Sequence, residues 1–140
     1  MKTLSKLLLS AIFLTAPLLT LHADNVKYLT TEEFMKLFLN EERTEFRYND
    51  TVPCIIDFYT TWCGPCKMLA PVMATLSDQY KGKVRFYKMD TEKELTVAAM
   101  FGINSIPQIF FVPLNNKPQM LKGYRTQEVL EAIINEYLLK

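Results

Sequence analysis

The apolar residues of this chain fall into two kinds of run. Residues 54–59 (CIIDFY) and 84–89 (VRFYKM) are short and dense in strand formers, which predicts buried β-strands. Residues 109–112 and 120–122 predict two more, and Asn115-Asn116 between them predicts a hairpin turn. A short strand is expected at Tyr28-Leu29. Elsewhere the apolar positions recur at helical spacing. Thr30 and Glu33 stand in capping-box register ahead of Phe34, Leu37 and Phe38 on one helix face. A second helix should start at Cys63 and run to about Tyr80, kinked where Pro71 removes a backbone donor. Residues 91–101 form a third, with Gly102 as its stop. Thr126 caps a last one, whose apolar face holds Val129, Leu130, Ile133, Ile134, Tyr137 and Leu138. The charged segment 41–50 reads as a loop. The order β-α-β-α-β-α-β-β-α predicts an α/β domain with a central mixed β-sheet, mostly parallel and flanked by α-helices.

The start of the chain breaks this pattern. Lys2 and Lys6 precede an apolar run over residues 7–14, Pro17 interrupts it, and Leu21-His22-Ala23 ends it. A charged stretch, an apolar stretch and then a small residue is the order of a secretory signal peptide. Residues 1–23 are therefore expected to be a leader cleaved after Ala23, with residues 24–140 as the exported domain. The alternative is an uncleaved anchor, for which the uncharged stretch is short of the roughly 20 residues a spanning helix needs. Cleavage removes two lysines, so a net charge of +1 becomes −1. No basic excess remains to attract nucleic acid or a membrane surface. It also removes His22, the single histidine, so no imidazole is left to act as base or ligand.

Three cysteines remain: Cys54, Cys63 and Cys66. An odd number rules out a fully paired framework within one chain. Cys63 and Cys66 are three apart at a predicted helix start. That places them on one face, about 5–6 Å apart, within the roughly 4.4–6.8 Å between the Cα atoms of a disulfide. Cys63, at the helix N-terminus, should have its thiol pKa lowered by free N–H groups and the helix dipole. Cys66, one turn in, should be shielded. This asymmetry suits thiol–disulfide exchange. Cys63 attacks a partner disulfide, and Cys66 then displaces the product from Cys63. Pro65 fits the first helical turn, where a missing N–H costs nothing. The pair also follows a central strand directly, where open α/β sheets carry their sites. Two alternatives are weaker. Zinc needs four ligands and finds at most Cys54 as a third. A structural disulfide closing so short a loop constrains the unfolded chain little.

Asp57 is the other anomaly. Alternation puts it with Ile55 and Tyr59 on one face of a buried strand, opposite Cys54, Ile56 and Phe58. A charge there is costly unless paired, and desolvation should raise its pKa.

These residues resemble the thioredoxin family over nearly the whole chain beyond the leader. Trp62-Cys63-Gly64-Pro65-Cys66-Lys67 carries the family's WCGPCK run without a gap. Asp57 stands where the family keeps a buried acid, Lys88 where it has a lysine near that acid, and Pro71 where it has a helix proline. Ile106-Pro107 matches its cis-proline and Gly123 its groove glycine. The resemblance implies a thioredoxin fold and a redox-active Cys63–Cys66 disulfide that needs no cofactor or metal. It implies that Asp57 takes the proton from Cys66, with Lys88 in support; simple Asp57–Lys88 pairing is the alternative. It also implies a substrate groove of Ile106, Pro107, Gly123 and Tyr124 beside Trp62, where an extended partner strand could dock. Ile106 could equally be core.

Departures from the family pattern are Tyr59 for a tryptophan, Ser105 for a glycine, a longer 41–50 loop, and the extra Cys54. Cys54 is expected to pack as a small buried hydrophobe, a regulatory thiol being the alternative. Gly64-Pro65 is the dipeptide of the family's reductants. The resemblance thus implies a periplasmic reductant near −270 mV, about the value of thioredoxin. Its partners would be disulfide-bonded exported proteins and a membrane electron donor. An oxidant or isomerase is the alternative, and a groove-binding module without turnover is a third reading. No oligomer signal is visible, so a monomer is expected by default.

Overall fold

The computed structural model describes residues 25–140; the expected leader and its cleavage site lie outside them. The chain runs β1 (Val26–Tyr28), α1 (Thr31–Phe38), β2 (Cys54–Tyr59), α2 (Gly64–Gln79), β3 (Arg85–Asp90), α3 (Leu95–Met100), β4 (Gln108–Val112), β5 (Gln119–Lys122) and α4 (Gln127–Ile133). A π-helical turn, Ile134–Leu138, continues from α4. The strands form one sheet in the order β1-β3-β2-β4-β5. β3 pairs parallel with both β1 and β2, while β4 pairs antiparallel with β2 and β5. The sheet is mixed, as the element order requires.

Local chemistry accounts for the element boundaries. Thr30 accepts the Glu33 N–H through its hydroxyl while Glu33 accepts the Thr30 N–H, so the capping box is closed at both ends. The third helix is shorter than the pattern predicts. Asp90 accepts the Glu92 N–H at 3.0 Å through its side chain, and its carbonyl accepts from Lys93 and Glu94. That turn uses up residues 91–94, and the helix starts only at Leu95. The 41–50 loop is better ordered than its charge implies. Asn40 accepts the N–H groups of Thr44 and Glu45, and Leu39 and Phe46 form an isolated antiparallel bridge.

Alternation along β2 divides the core in two. Ile55 joins Leu69, Met73 and Leu76 of α2 and Leu130 of α4 on one face. Cys54, Ile56 and Phe58 join Phe34 and Phe38 of α1 and Val97 of α3 on the other. Burying each such large apolar side chain contributes about 1.5–3 kcal/mol. α2 passes through Pro71 and remains helical to Gln79. It therefore lies along the first face and holds its N-terminus at the carboxyl end of β2. No helix among the described residues is long and apolar enough to cross a membrane.

Candidate active site

β2 ends at Tyr59, and four residues later Cys63 caps α2. Its backbone is extended (φ −75°, ψ 115°), and its Sγ accepts the Cys66 N–H at 3.2 Å. That N–H is one of the orphan donors of a helix N-terminus, so negative charge on Cys63 Sγ is favoured there. Cys63 and Cys66 are joined as a disulfide with their Cα atoms 5.3 Å apart. Both residues are buried in this oxidised state, at 4% and 3% exposure. The difference between them therefore lies in helix position and not in burial. Pro65 stands in the first turn of α2, and Gly64, Pro65 and Lys67 are all exposed. A Cβ on Gly64 would meet nothing within 4 Å, so the surface there is open.

Trp62 is 66% exposed, and its indole N–H donates to Glu92 Oε1 at 2.9 Å. The sequence reading missed Glu92. The signal available was its place in the loop after β3, beside the loop that follows β2 at the same sheet end.

On the sheet face covered by α2, Asp57 is fully buried, and neither carboxylate oxygen has a hydrogen-bond partner. Desolvation pushes its pKa up to about 7, against a smaller opposing pull from Lys88. Asp57 and Lys88 are direct neighbours across the β2–β3 ladder. Even so, the structure does not join them as an ion pair. The Lys88 ammonium instead lies over the Tyr59 ring at 4.4 Å and within 5.7 Å of the Tyr28 ring.

The remaining expected residues come from the loops flanking β4 and β5. The Ile106–Pro107 bond is cis. Ile106 is half-buried and Pro107 buried. Gly123 has φ +83°, a conformation glycine adopts without a Cβ penalty, and its N–H donates to the Pro107 carbonyl at 2.7 Å. That bond ties the two groove segments together. Tyr124 is half-buried and packs against the α2/α4 core. Ser105 turns toward the buried Gln108, its N–H 3.4 Å from the side-chain carbonyl. Cys54 is a free thiol, buried on the opposite face of the sheet. Among the described residues no group of three or more His, Cys, Asp or Glu side chains could hold a metal ion.

The geometry is that of a disulfide at a helix N-terminus, following a strand that carries a buried carboxyl group whose pKa desolvation pushes up to about 7. Such a pair can exchange disulfides by attack at Cys63 and release by Cys66.

Comparison with known proteins agrees with this chemistry. The thioredoxin family model matches residues 25–136. The chain is 40% identical over 110 residues to a thioredoxin of Borreliella burgdorferi, an alignment covering 78% of this chain and 94% of that one. It is 36% identical over 87 residues to a Synechocystis thioredoxin, covering 62% and 81%. A crystal structure of chloroplastic thioredoxin z superimposes with a TM-score of 0.67 over 79% of this chain and 92% of that one, at 21% identity. That likeness supports the fold alone. With its cysteine pair at disulfide distance and a family match over residues 25–136, the chain belongs to the thioredoxin family and is a thiol–disulfide oxidoreductase acting on disulfide substrates.

Proposed function

We propose that this protein is an exported reductant of protein disulfides. In the reduced state the Cys63 thiolate attacks one sulfur of a partner disulfide. A Cys63–partner bond forms, the partner's bond breaks, and the partner's other sulfur leaves as a thiolate and takes up a proton. Cys66 then gives its proton to the Asp57 carboxylate and attacks Cys63 Sγ. The mixed disulfide breaks, the partner's second thiolate leaves and is protonated, and Cys63–Cys66 is left oxidised. Two electrons have passed to the partner. A dithiol donor, expected to be a membrane protein, returns the pair to its reduced state.

The observation that carries the direction is the environment of Cys63 Sγ. Its one hydrogen bond among the described residues comes from the Cys66 backbone N–H, and Gly64 and Pro65 between the sulfurs bring no cation or imidazole. A thiolate stabilised no further than this leaves the reduced form ready to give up electrons. Strong oxidants of this chemistry stabilise their reduced form. Trp62, Ile106, Pro107, Gly123 and Tyr124 would form the groove that receives the partner, and the open space over Gly64 lets another backbone approach. Lys67 would sit at its exposed rim.

Equilibration with glutathione tests the direction. A potential near −270 mV, about that of thioredoxin, is expected; a value above about −200 mV would place the protein among oxidants and isomerases. Export rests on the pattern of residues 1–23 alone. Intact mass of the protein recovered from the periplasm should begin at Asp24, and a product retaining Met1 to Ala23 overturns cleavage.

A further inference from the structure

Asp57 presents a paradox of pairing. A buried carboxylate with two unpartnered oxygens has an ammonium group as its direct ladder neighbour. Nothing apolar about a lysine prevents it from closing that gap. Lys88 does not close it, because it is engaged elsewhere. Its Nζ lies 4.4 Å from the centre of the Tyr59 ring and 5.7 Å from that of Tyr28. Both distances are inside the roughly 6 Å over which a ring face attracts a cation. The two rings meet edge to face, with centroids 6.3 Å apart, and form two walls around the ammonium. Alternation explains the arrangement. Tyr59 is two residues beyond Asp57 on β2, on the same face, and Tyr28 is the register partner of Lys88 on edge strand β1.

We propose that Tyr59, with Tyr28 beside it, is a positioning residue that seats the Lys88 ammonium on its ring and so holds it off the Asp57 carboxylate. The carboxyl group then keeps its oxygens free for the Cys66 proton and is not locked into an ion pair. The other groups around Asp57 do not offer a competing explanation. β4 contributes Ile109 opposite it, and α4 and the π-helical turn after it contribute the apolar Leu130 and Ile134 on this face. α2 brings the Cys63–Cys66 disulfide, which does not titrate when closed. At the end of β3, Asp90 is 3.9 Å from Lys93, and in the loop beyond it Glu92 is held by Trp62. The raised pKa of Asp57 agrees with a lysine close enough to act through space but not bonded to it.

The consequence for rate rests on Asp57 being the proton acceptor; the seating of Lys88 does not. The two are separated by following the Asp57 carboxyl carbon directly by 13C NMR titration of the oxidised protein. Tyr59→Leu keeps apolar bulk but offers no ring face. Lys88 then closes on Asp57, and the titration midpoint falls by at least about one pH unit. Tyr59→Phe retains the ring and keeps the original midpoint. Tyr28→Leu, on the exposed edge strand, gives a smaller fall in the same direction and serves if Tyr59→Leu does not fold. Adding Tyr59→Leu to Lys88→Met leaves the Lys88→Met midpoint unchanged. The proposal is overturned if Tyr59→Leu, or Tyr28→Leu in its place, leaves the midpoint where it was or raises it. It is equally overturned if Tyr59→Leu lowers the midpoint without Lys88. An Asp57→Asn protein whose reductase pH profile matches the parent would instead sink the proton-acceptor role, and the NMR midpoints would still decide the seating.

Discussion

On the α1/α3 side of the sheet, aromatic rings meet without a buried charge between them. Phe34 and Phe38 lie 4.7 Å apart, Phe38 stacks on Tyr48 at 5.1 Å, and Phe101 meets Phe110 at 5.4 Å. On the α2/α4 side, the same strands present Asp57 without a partner and Lys88 among tyrosines. One residue of register separates the two kinds of surface. The pleat thus lets six residues of β2 supply packing to one side and a titrating group to the other. The stabilising side can be dense and dry, while the other carries the cost of a desolvated carboxyl group.

Substitutions that strike one side should leave the other's signature intact. Cys66→Ser is expected to abolish multiple turnover in insulin reduction and to leave partners trapped on Cys63, while thermal unfolding of the reduced protein shifts little. Free partner release by that variant would contradict the exchange order. Phe38→Ala, on the packing side, should cost about 3–5 kcal/mol in a denaturant titration. The reductase pH profile of whatever remains folded should not move.

Asp57→Asn should do the reverse. If Asp57 accepts the Cys66 proton as proposed, its removal should slow reduction by about 100-fold near neutral pH. Its effect on stability depends on pH, with a definite sign. The folded pKa is raised above the ordinary carboxylate value of 3.8 to about 7. Ionised Asp57 therefore destabilises the native state, an effect absent below the unfolded pKa and complete above the folded one. Relative to the parent, Asp57→Asn should gain about 4 kcal/mol between pH 4 and pH 9. A stability difference that did not change over that range would remove the desolvated carboxyl group from the account. Thr30→Ala, which opens the capping box of α1, is the smallest change. It should cost about 1 kcal/mol and leave catalysis untouched, as paired unfolding and insulin assays would show.

The sequence reading succeeded where the determinant is local. The capping box, the strand CIIDFY, the turn at Asn115-Asn116 and the cysteine spacing are each set by residues within a few positions of one another. α3 was expected too early because its start is decided by a side-chain bond from Asp90, which competes with the helix and leaves no mark on apolar periodicity. The π-helical end of the chain was hidden for a related reason: Ile134 and Leu138 are buried as a helix requires, and the widened turn alters only the backbone bonding. The site divides along the same line. Asp57, Cys63 and Cys66 stand out in one dimension. The hold of Glu92 on Trp62 and the seating of Lys88 between Tyr28 and Tyr59 join residues that only the folded sheet brings together.

Cys54 sits on the packing side with no exposed surface, and desolvation pushes its pKa up to about 12. An alkylating dye added to the reduced native protein should therefore leave Cys54 unlabelled, its sulfhydryl appearing only in denaturant. Air oxidation should not crosslink one molecule to another. Electron counting in a redox titration will then return a clean two-electron curve, with no side reaction from the odd sulfur.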